Sequence, residues 1–342
     1  MTKKTAACYS FEKRMACLGL FFRQAGKGKP MVLCVVLLVL LVTAVGLCYG
    51  AARFTYLSSL PHEERPYAIP PEEQYQACKG RMLSLIKEID EIPFEPVTIR
   101  SHDGLTLFGR YYHVRSGAPL QIQMHGYRGS ALRDFCGGNK LARESGYNTL
   151  LIDERGHGRS GGTVISFGVK ERLDCQSWAR YAAERFGPET PIILCGVSMG
   201  AATVLMASDL DLPETVKAIV ADCPFSSPHT IIREVCWGMP KAFRILYPFA
   251  TLSAKLFGHF DLDGASALQS VARTKLPILL IHGEDDRFVP CAMSRQIAAA
   301  CASPVRLETF PEAGHGLSYI VDPVRYGQVV RDFLEGLGLG AE

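Results

Sequence analysis

The sequence predicts an α/β protein: a mostly parallel, doubly wound sheet of about eight strands, preceded by one membrane-spanning helix. Three observations carry this expectation. From about residue 96 onward, strand-like runs alternate with helix-like periods. The later strand candidates are unbroken apolar runs, as parallel strands covered by helices on both faces require. Ahead of them, residues 31–50 (MVLCVVLLVLLVTAVGLCYG) carry no charge at all.

The apolar stretch is long enough to cross a hydrocarbon core of roughly 30 Å as a helix. Lys3, Lys4, Lys13, Arg14, Arg23, Lys27 and Lys29 precede it against the single acid Glu12, and only Arg53 and Arg65 follow closely. That asymmetry predicts a basic cytoplasmic tail over residues 1–30, an uncleaved signal-anchor over 31–50 and an extracytoplasmic remainder. A cleaved signal peptide is the alternative; its basic region would be unusually long and its apolar region exceeds the usual ~7–15 residues. Residues 51–95, rich in Pro, Glu and Arg with one amphipathic piece near 74–90, read as a stalk.

The globular domain is expected over residues 96–338. Its strands are predicted at 96–101, 105–114, 120–126, 148–154, 192–198, 217–225, 277–283 and 305–310, the first two joined by a turn at HDG. Helical periods fall at 131–145, 168–186, 199–209, 291–302 and 322–336. Residues 228–276 break the rhythm: they hold no good strand but many apolar and aromatic residues, and predict a small helical cap over the site.

Composition narrows the function classes. The 342 residues are 48% hydrophobic with a net charge of +3, which gives no concentrated basic face for nucleic acid. No phosphate-cradling loop pattern is present. The twelve cysteines show no CxxC pair or zinc spacing, and free thiols in a reducing habitat, disulfides and a reversed orientation all stay open as explanations. His125, His157 and His282 sit beside glycines at strand ends or in a loop, where hydrogen bonds to backbone explain them without a metal.

The stretch ILCGVSMGAA (193–202) holds a serine between two glycines at a strand-to-helix junction. There Ser198 sits on a sharp turn with its hydroxyl exposed at the end of the sheet. A Cβ at position 196 or 200 would collide with the neighbouring strand and helix. A serine nucleophile needs a base and a group to orient that base. LIHGEDDRFVP (280–290) follows one strand and FPEAGHGLS (310–318) follows the last, supplying a carboxylate and His315 in the order Ser, acid, His. Asp285, Asp286 and, on an earlier strand, Asp222 are the candidate acids.

Four landmarks, HGYRGS (125–130), DERGHGRSGG (153–162), GVSMG (196–200) and the pair HGEDDRFVP with EAGHG, make the chain resemble the α/β-hydrolase family, in particular membrane-anchored bacterial members of the BEM46-like and acylaminoacyl-peptidase-like kind. The resemblance covers roughly residues 95–338. It implies an α/β-hydrolase fold and a catalytic triad of Ser198, Asp286 and His315. It also implies an oxyanion hole from the backbone N–H groups of Tyr127 and Met199, and no metal or organic cofactor. Asp153, Arg155 and Ser160 read as turn and ion-pair residues. The expected function is a serine hydrolase acting on an ester or thioester of small-molecule or acyl, lipid-like character. A serine peptidase and a non-catalytic membrane scaffold are the alternatives.

Overall fold

The computed structural model describes residues 29–59, 67–235 and 240–340. The expected basic tail lies, up to residue 28, outside the described residues. The chain divides into two compact units, residues 1–54 and 55–342.

Among the described residues the first unit consists of helix α1 (Lys29–Ser59), whose last residues belong to the second. Its span Met31–Leu57 has a mean hydropathy of 3.1, and its Val and Leu side chains from Val32 to Leu47 are exposed on every side. A helix that is apolar all round has no polar face to turn to water. The apolar span is longer at its C-terminal end than the 31–50 read from the sequence, because Ala51, Ala52, Phe54, Tyr56 and Leu57 extend it past the lone Arg53.

In the second unit the stretch expected as a stalk holds an 18-residue helix, α2 (Glu73–Asp90), packed on the α/β domain. Met82, Ile86 and Ile89, spaced by four and three residues, form its buried stripe against Phe135, Tyr112 and Leu151. The amphipathic piece near 74–90 is thus a structural part of the domain and not a spacer.

The sheet comprises β1 (Glu95–Arg100), β2 (Thr106–Tyr112), β3 (Leu120–Met124), β4 (Asn148–Asp153), β5 (Ile192–Val197), β6 (Val216–Asp222), β7 (Ile278–Gly283) and β8 (Val305–Phe310), in the order β1-β2-β4-β3-β5-β6-β7-β8. Only β2 runs against its neighbours. Helix α5 (Glu171–Phe186) and α6 (Met199–Ala207) cover one face, where Trp178, Met206 and Leu205 are buried. Helix α2 and the C-terminal α12 (Pro323–Gly336) cover the other, over Ile193 and Phe310. Between them in sequence lie α3 (Ala131–Asp134), α4 (Cys136–Glu144), α7 (Pro228–Val235), α8 (Pro240–Ser253), α9 (Ala267–Val271), α10 (Ala292–Ala300) and α11 (Ser318–Val321). Residues 228–276 contain α7, α8, a wide turn at Ala254–Gly258 and α9, with no strand among the described residues.

Register decides where function can sit. Met124 pairs with Gly196, Val197 with Asp222, Asp222 with Ile281, and Gly283 with Phe310. All the motif-bearing loops therefore leave the sheet along one edge. The chain winds from β3 outward to β4 and then returns to the other side of β3 as β5, and a crevice opens at such a reversal in open α/β sheets.

Candidate active site

Ser198 is the residue between β5 and α6, with φ 56° and ψ −115°. A side chain in that region costs on the order of 1–3 kcal/mol and persists only where neighbours over-determine it. The neighbours are the two glycines. A Cβ on Gly196 would lie 2.3 Å from the Gly200 carbonyl carbon, and a Cβ on Gly200 would lie 2.0 Å from the Met124 carbonyl oxygen. The Ser198 N–H donates to the Asp222 carbonyl at 2.8 Å, and the Ser198 carbonyl accepts from Ala202 at 3.0 Å, which starts α6.

The loop after β7 and the loop after β8 bring the other groups to this serine. His315 Nε2 is 2.8 Å from Ser198 Oγ, and its Nδ1 is 2.7 Å from Asp286 Oδ2. Because a carboxylate only accepts, Nδ1 carries the ring proton and Nε2 is left to accept from the serine hydroxyl. Asp286 Oδ1 accepts the N–H groups of Phe288 and Val289, both at 2.8 Å. His282 stands behind it: Nε2 donates to the Val289 carbonyl at 2.8 Å with Asp286 Oδ2 at 3.3 Å, and Nδ1 meets Ser294 Oγ at 2.6 Å. Asp285 is exposed, its N–H donating to the Ala313 carbonyl at 3.1 Å.

Electrostatics follow from this packing. Burial pushes the Asp286 carboxyl up, but the His315 charge and the hydrogen bonds from His282 and His315 outweigh it and hold the group well below the usual carboxylate range. Burial pulls His315 down, and Asp286, with smaller contributions from Asp222 and Asp134, overcomes that and leaves it above its ordinary value. Asp222 hydrogen-bonds Tyr326 and is pushed up to about 6, chiefly by burial. Of the three candidate acids, the structure brings Asp286 to the imidazole.

Tyr127 and Met199 directly follow Gly126 and Ser198, and these two segments meet: a Cβ on Gly126 would stand 3.2 Å from the Ser198 Cβ. The turn Gly126–Gly129 is closed by a 3.0 Å bond, with Arg128 at positive φ. His157 Nε2 accepts the Arg128 N–H at 3.2 Å while its Nδ1 donates to the Arg155 carbonyl at 3.0 Å. His125 Nδ1 donates to the Gly126 carbonyl at 2.9 Å while its Nε2 accepts the Glu154 N–H at 3.1 Å. Burial lowers both histidines, His157 to about 3, so each is a neutral bracket for the turn. Asp153 pairs with Arg110 at 2.6 Å, Ser160 Oγ accepts the Phe108 N–H at 2.9 Å, and Arg155 is held by Asp103 and Asp174 at 2.9 and 2.6 Å. Burial is also the main cause of the rise of the Asp174 carboxyl to about 6.

A cavity of about 260 Å³ opens above Ser198 and His315. The sequence assigns its cover to residues 228–276. In the structure none of its described lining residues comes from there; one side of the wall is Pro70, Glu72, Gln74, Tyr75 and Met82, from the segment read as a stalk. Gln74 Oε1 accepts the His315 N–H at 3.3 Å, and a Cβ on Gly314 would fall 1.9 Å from it. Sequence reasoning missed Gln74, Phe288, whose ring centroid is 5.3 Å from that of His315, and Asp134, which accepts the Gly126 N–H at 2.8 Å. It also missed the proximity of Cys223 to the site: its thiol lies within 4.8 Å of ligand atoms of Asp286 and His315, and burial first, then Asp222 and Asp286, keep it protonated. The amphipathic piece near 74–90 was the only signal pointing to Gln74.

Known proteins share this architecture. The family model described as "Serine aminopeptidase, S33" matches residues 122–260 and 246–319, together more than half of the chain. Protein bem46 of Schizosaccharomyces pombe is 24% identical over 248 residues, covering 70% of this chain and 76% of its own length. Lysophosphatidylserine lipase ABHD12 of Danio rerio is 27% identical over 222 residues, covering 60% of this chain and 52% of its own. Among solved structures, the Pyrococcus furiosus esterase Pf2001 superposes with a TM-score of 0.59 at 23% identity, over 73% of this chain and 94% of that one. With its eight-stranded sheet and this family match, the chain belongs to the serine aminopeptidase S33 family of α/β-hydrolases.

Proposed function

We propose that the chain is a serine hydrolase that cleaves a carboxylic ester or thioester through an acyl-enzyme. The observation that carries this reading is the continuous hydrogen-bonded chain Ser198–His315–Asp286, whose serine and histidine line a cavity. Ser198 Oγ attacks the acyl carbonyl as His315 Nε2 takes its proton. The same imidazole then protonates the leaving group, and a water repeats the cycle. Asp286 fixes the tautomer and balances the imidazolium. The N–H groups of Tyr127 and Met199 are the donors for the developing oxyanion, each typically worth about 10²–10³ in turnover.

An acyl, lipid-like substrate fits a relative named as a lysophosphatidylserine lipase and a structural neighbour named as an esterase. It also fits the reading of α1 as a membrane anchor, supported by the exposed apolar span Met31–Leu57. The full-length protein should then float with liposomes after alkaline carbonate washing, and deletion of residues 31–57 should release it. An anchorless protein that still floats contradicts the anchor.

A peptidase is the second reading. The family description names an aminopeptidase, and exposed Glu72 at the cavity is a carboxylate that a substrate amine could meet. Graded p-nitrophenyl esters assayed beside aminoacyl-anilides separate the two. Ester turnover is expected to dominate; anilide turnover alone would favour the peptidase, and neither, with Ser198 unreactive, a scaffold.

Asp286→Asn removes the charge while keeping the shape, and turnover of a short-chain ester should fall at least ~10²-fold, against less than ~10-fold for Asp285→Asn. Damage confined to Asp285→Asn or to Asp222→Asn would move the acid to that position.

The pH profile carries its own sign. The base must be neutral to accept the serine proton, and His315 titrates above its ordinary 6.5 in the folded protein. kcat/KM should therefore be lost as pH falls through a midpoint above 6.5. Asp286→Asn should move that midpoint down. An acid limb that stays put in the variant would separate the limb from the His315–Asp286 pair.

A further inference from the structure

We propose that the outward face of α8 docks on the surface of a bilayer containing anionic lipid, so that the enzyme draws acyl substrate from the membrane that holds α1. This rests on the readings of α1 as an anchor and of the site as a serine hydrolase.

In α8 and the wide turn that continues it, Ile245, Leu252 and Leu256 recur at intervals of seven and four residues, which places them on one side of a helix. They are 63%, 39% and 50% exposed, and the adjoining Leu246 is 47% exposed. The opposite side accounts for the packing: Ala254 is buried, and the Phe243 and Tyr247 rings lie 5.3 and 4.8 Å from His229. The outward apolar residues therefore leave much of their surface outside the domain's own packing. Exposed Lys241, Arg244 and Lys255 border them, Lys255 also lying 3.3 Å from Asp261. An apolar face with a basic margin is the pattern of a helix lying in a membrane interface, its cations meeting anionic headgroups.

Connectivity chooses the bilayer over another protein. The apolar span ends at Leu57. Just before that end, within the second unit, Thr55 Oγ1 donates to the Phe249 carbonyl at 3.4 Å, and the Tyr56 and Phe257 rings are 5.4 Å apart. The residues at which an anchored chain leaves the hydrocarbon thus touch the very helix that carries the patch.

The test uses the full-length chain in phosphatidylcholine–phosphatidylglycerol vesicles. Leu252→Trp is compared with the parent for quenching by lipids brominated on the acyl chain. Extra quenching in the variant is expected, and weakening it with Lys241→Gln/Arg244→Gln is expected too. Emission no more quenched than the parent's overturns the proposal. This readout needs no activity, so it stands apart from the hydrolase reading, while flotation of the same vesicles reports the anchor. In parallel, Ile245→Gln/Leu252→Gln/Leu256→Gln should keep turnover of a water-soluble short-chain ester within about twofold, yet lose at least about tenfold on a long-chain acyl ester dissolved in the vesicles. Equal effects on both substrates, or a change of oligomeric state with no change in their ratio, would assign the patch to folding or to a second copy and overturn membrane docking.

Discussion

The contact between Gly200 and the end of β3 is the constraint on which the site depends. Helix α6 can start where it does only because no Cβ stands between Gly200 and the carbonyls of Met124 and His125, at 2.0 and 2.7 Å from where one would be. That approach forces the turn at Ser198 into positive φ, and Gly196 clears the space beneath it. The strain is local and its consequence is positional. The Ser198 hydroxyl stands at the strand edge toward which the loops after β3, β6, β7 and β8 all open.

Around that turn, buried polar groups hold one another in single states. Asp134 is fixed by Arg133 at 2.9 Å and by the Gly126 N–H, and His125 and His157 are each pinned in one tautomer by backbone on both sides. Arg155 ties the β1–β2 turn to helix α5 through Asp103 and Asp174. Breaking such a buried pair by removing one partner typically costs about 3–5 kcal/mol, since the other charge is left stranded. Glu154 is an exception: both its carboxylate oxygens are buried without a hydrogen-bond partner among the described residues. Burial first, then Glu171, Asp174 and Asp134, push its carboxyl well up, so the group is neutral.

The strands were legible because parallel strands buried on both faces must be unbroken apolar runs, and because glycines and turn residues punctuate their ends. The site loops were legible for a related reason. A strained turn, a close approach and a strand-end carboxylate each demand particular residue types at short spacing, as GVSMG and HGEDDRFVP show. The cover of the cavity was not. Gln74 reaches the His315 backbone across 241 positions of sequence, and such a contact leaves no local pattern. The composition of residues 51–95 resembles that of an exposed spacer, and only the spacing of Met82, Ile86 and Ile89 betrays a buried face. The choice between Asp285 and Asp286 could be framed in the sequence, but which carboxylate turns inward is set by the Phe288 and Val289 N–H groups, a property of the folded loop.

The central claim is that Ser198 is the nucleophile. Treating the full-length protein with a fluorophosphonate and locating the adduct by peptide mass spectrometry tests it most directly. The account predicts one stoichiometric adduct on the peptide containing Ser198, absent after Ser198→Ala in a protein of unchanged circular dichroism. An adduct on another residue, or labelling that survives the substitution, would contradict it.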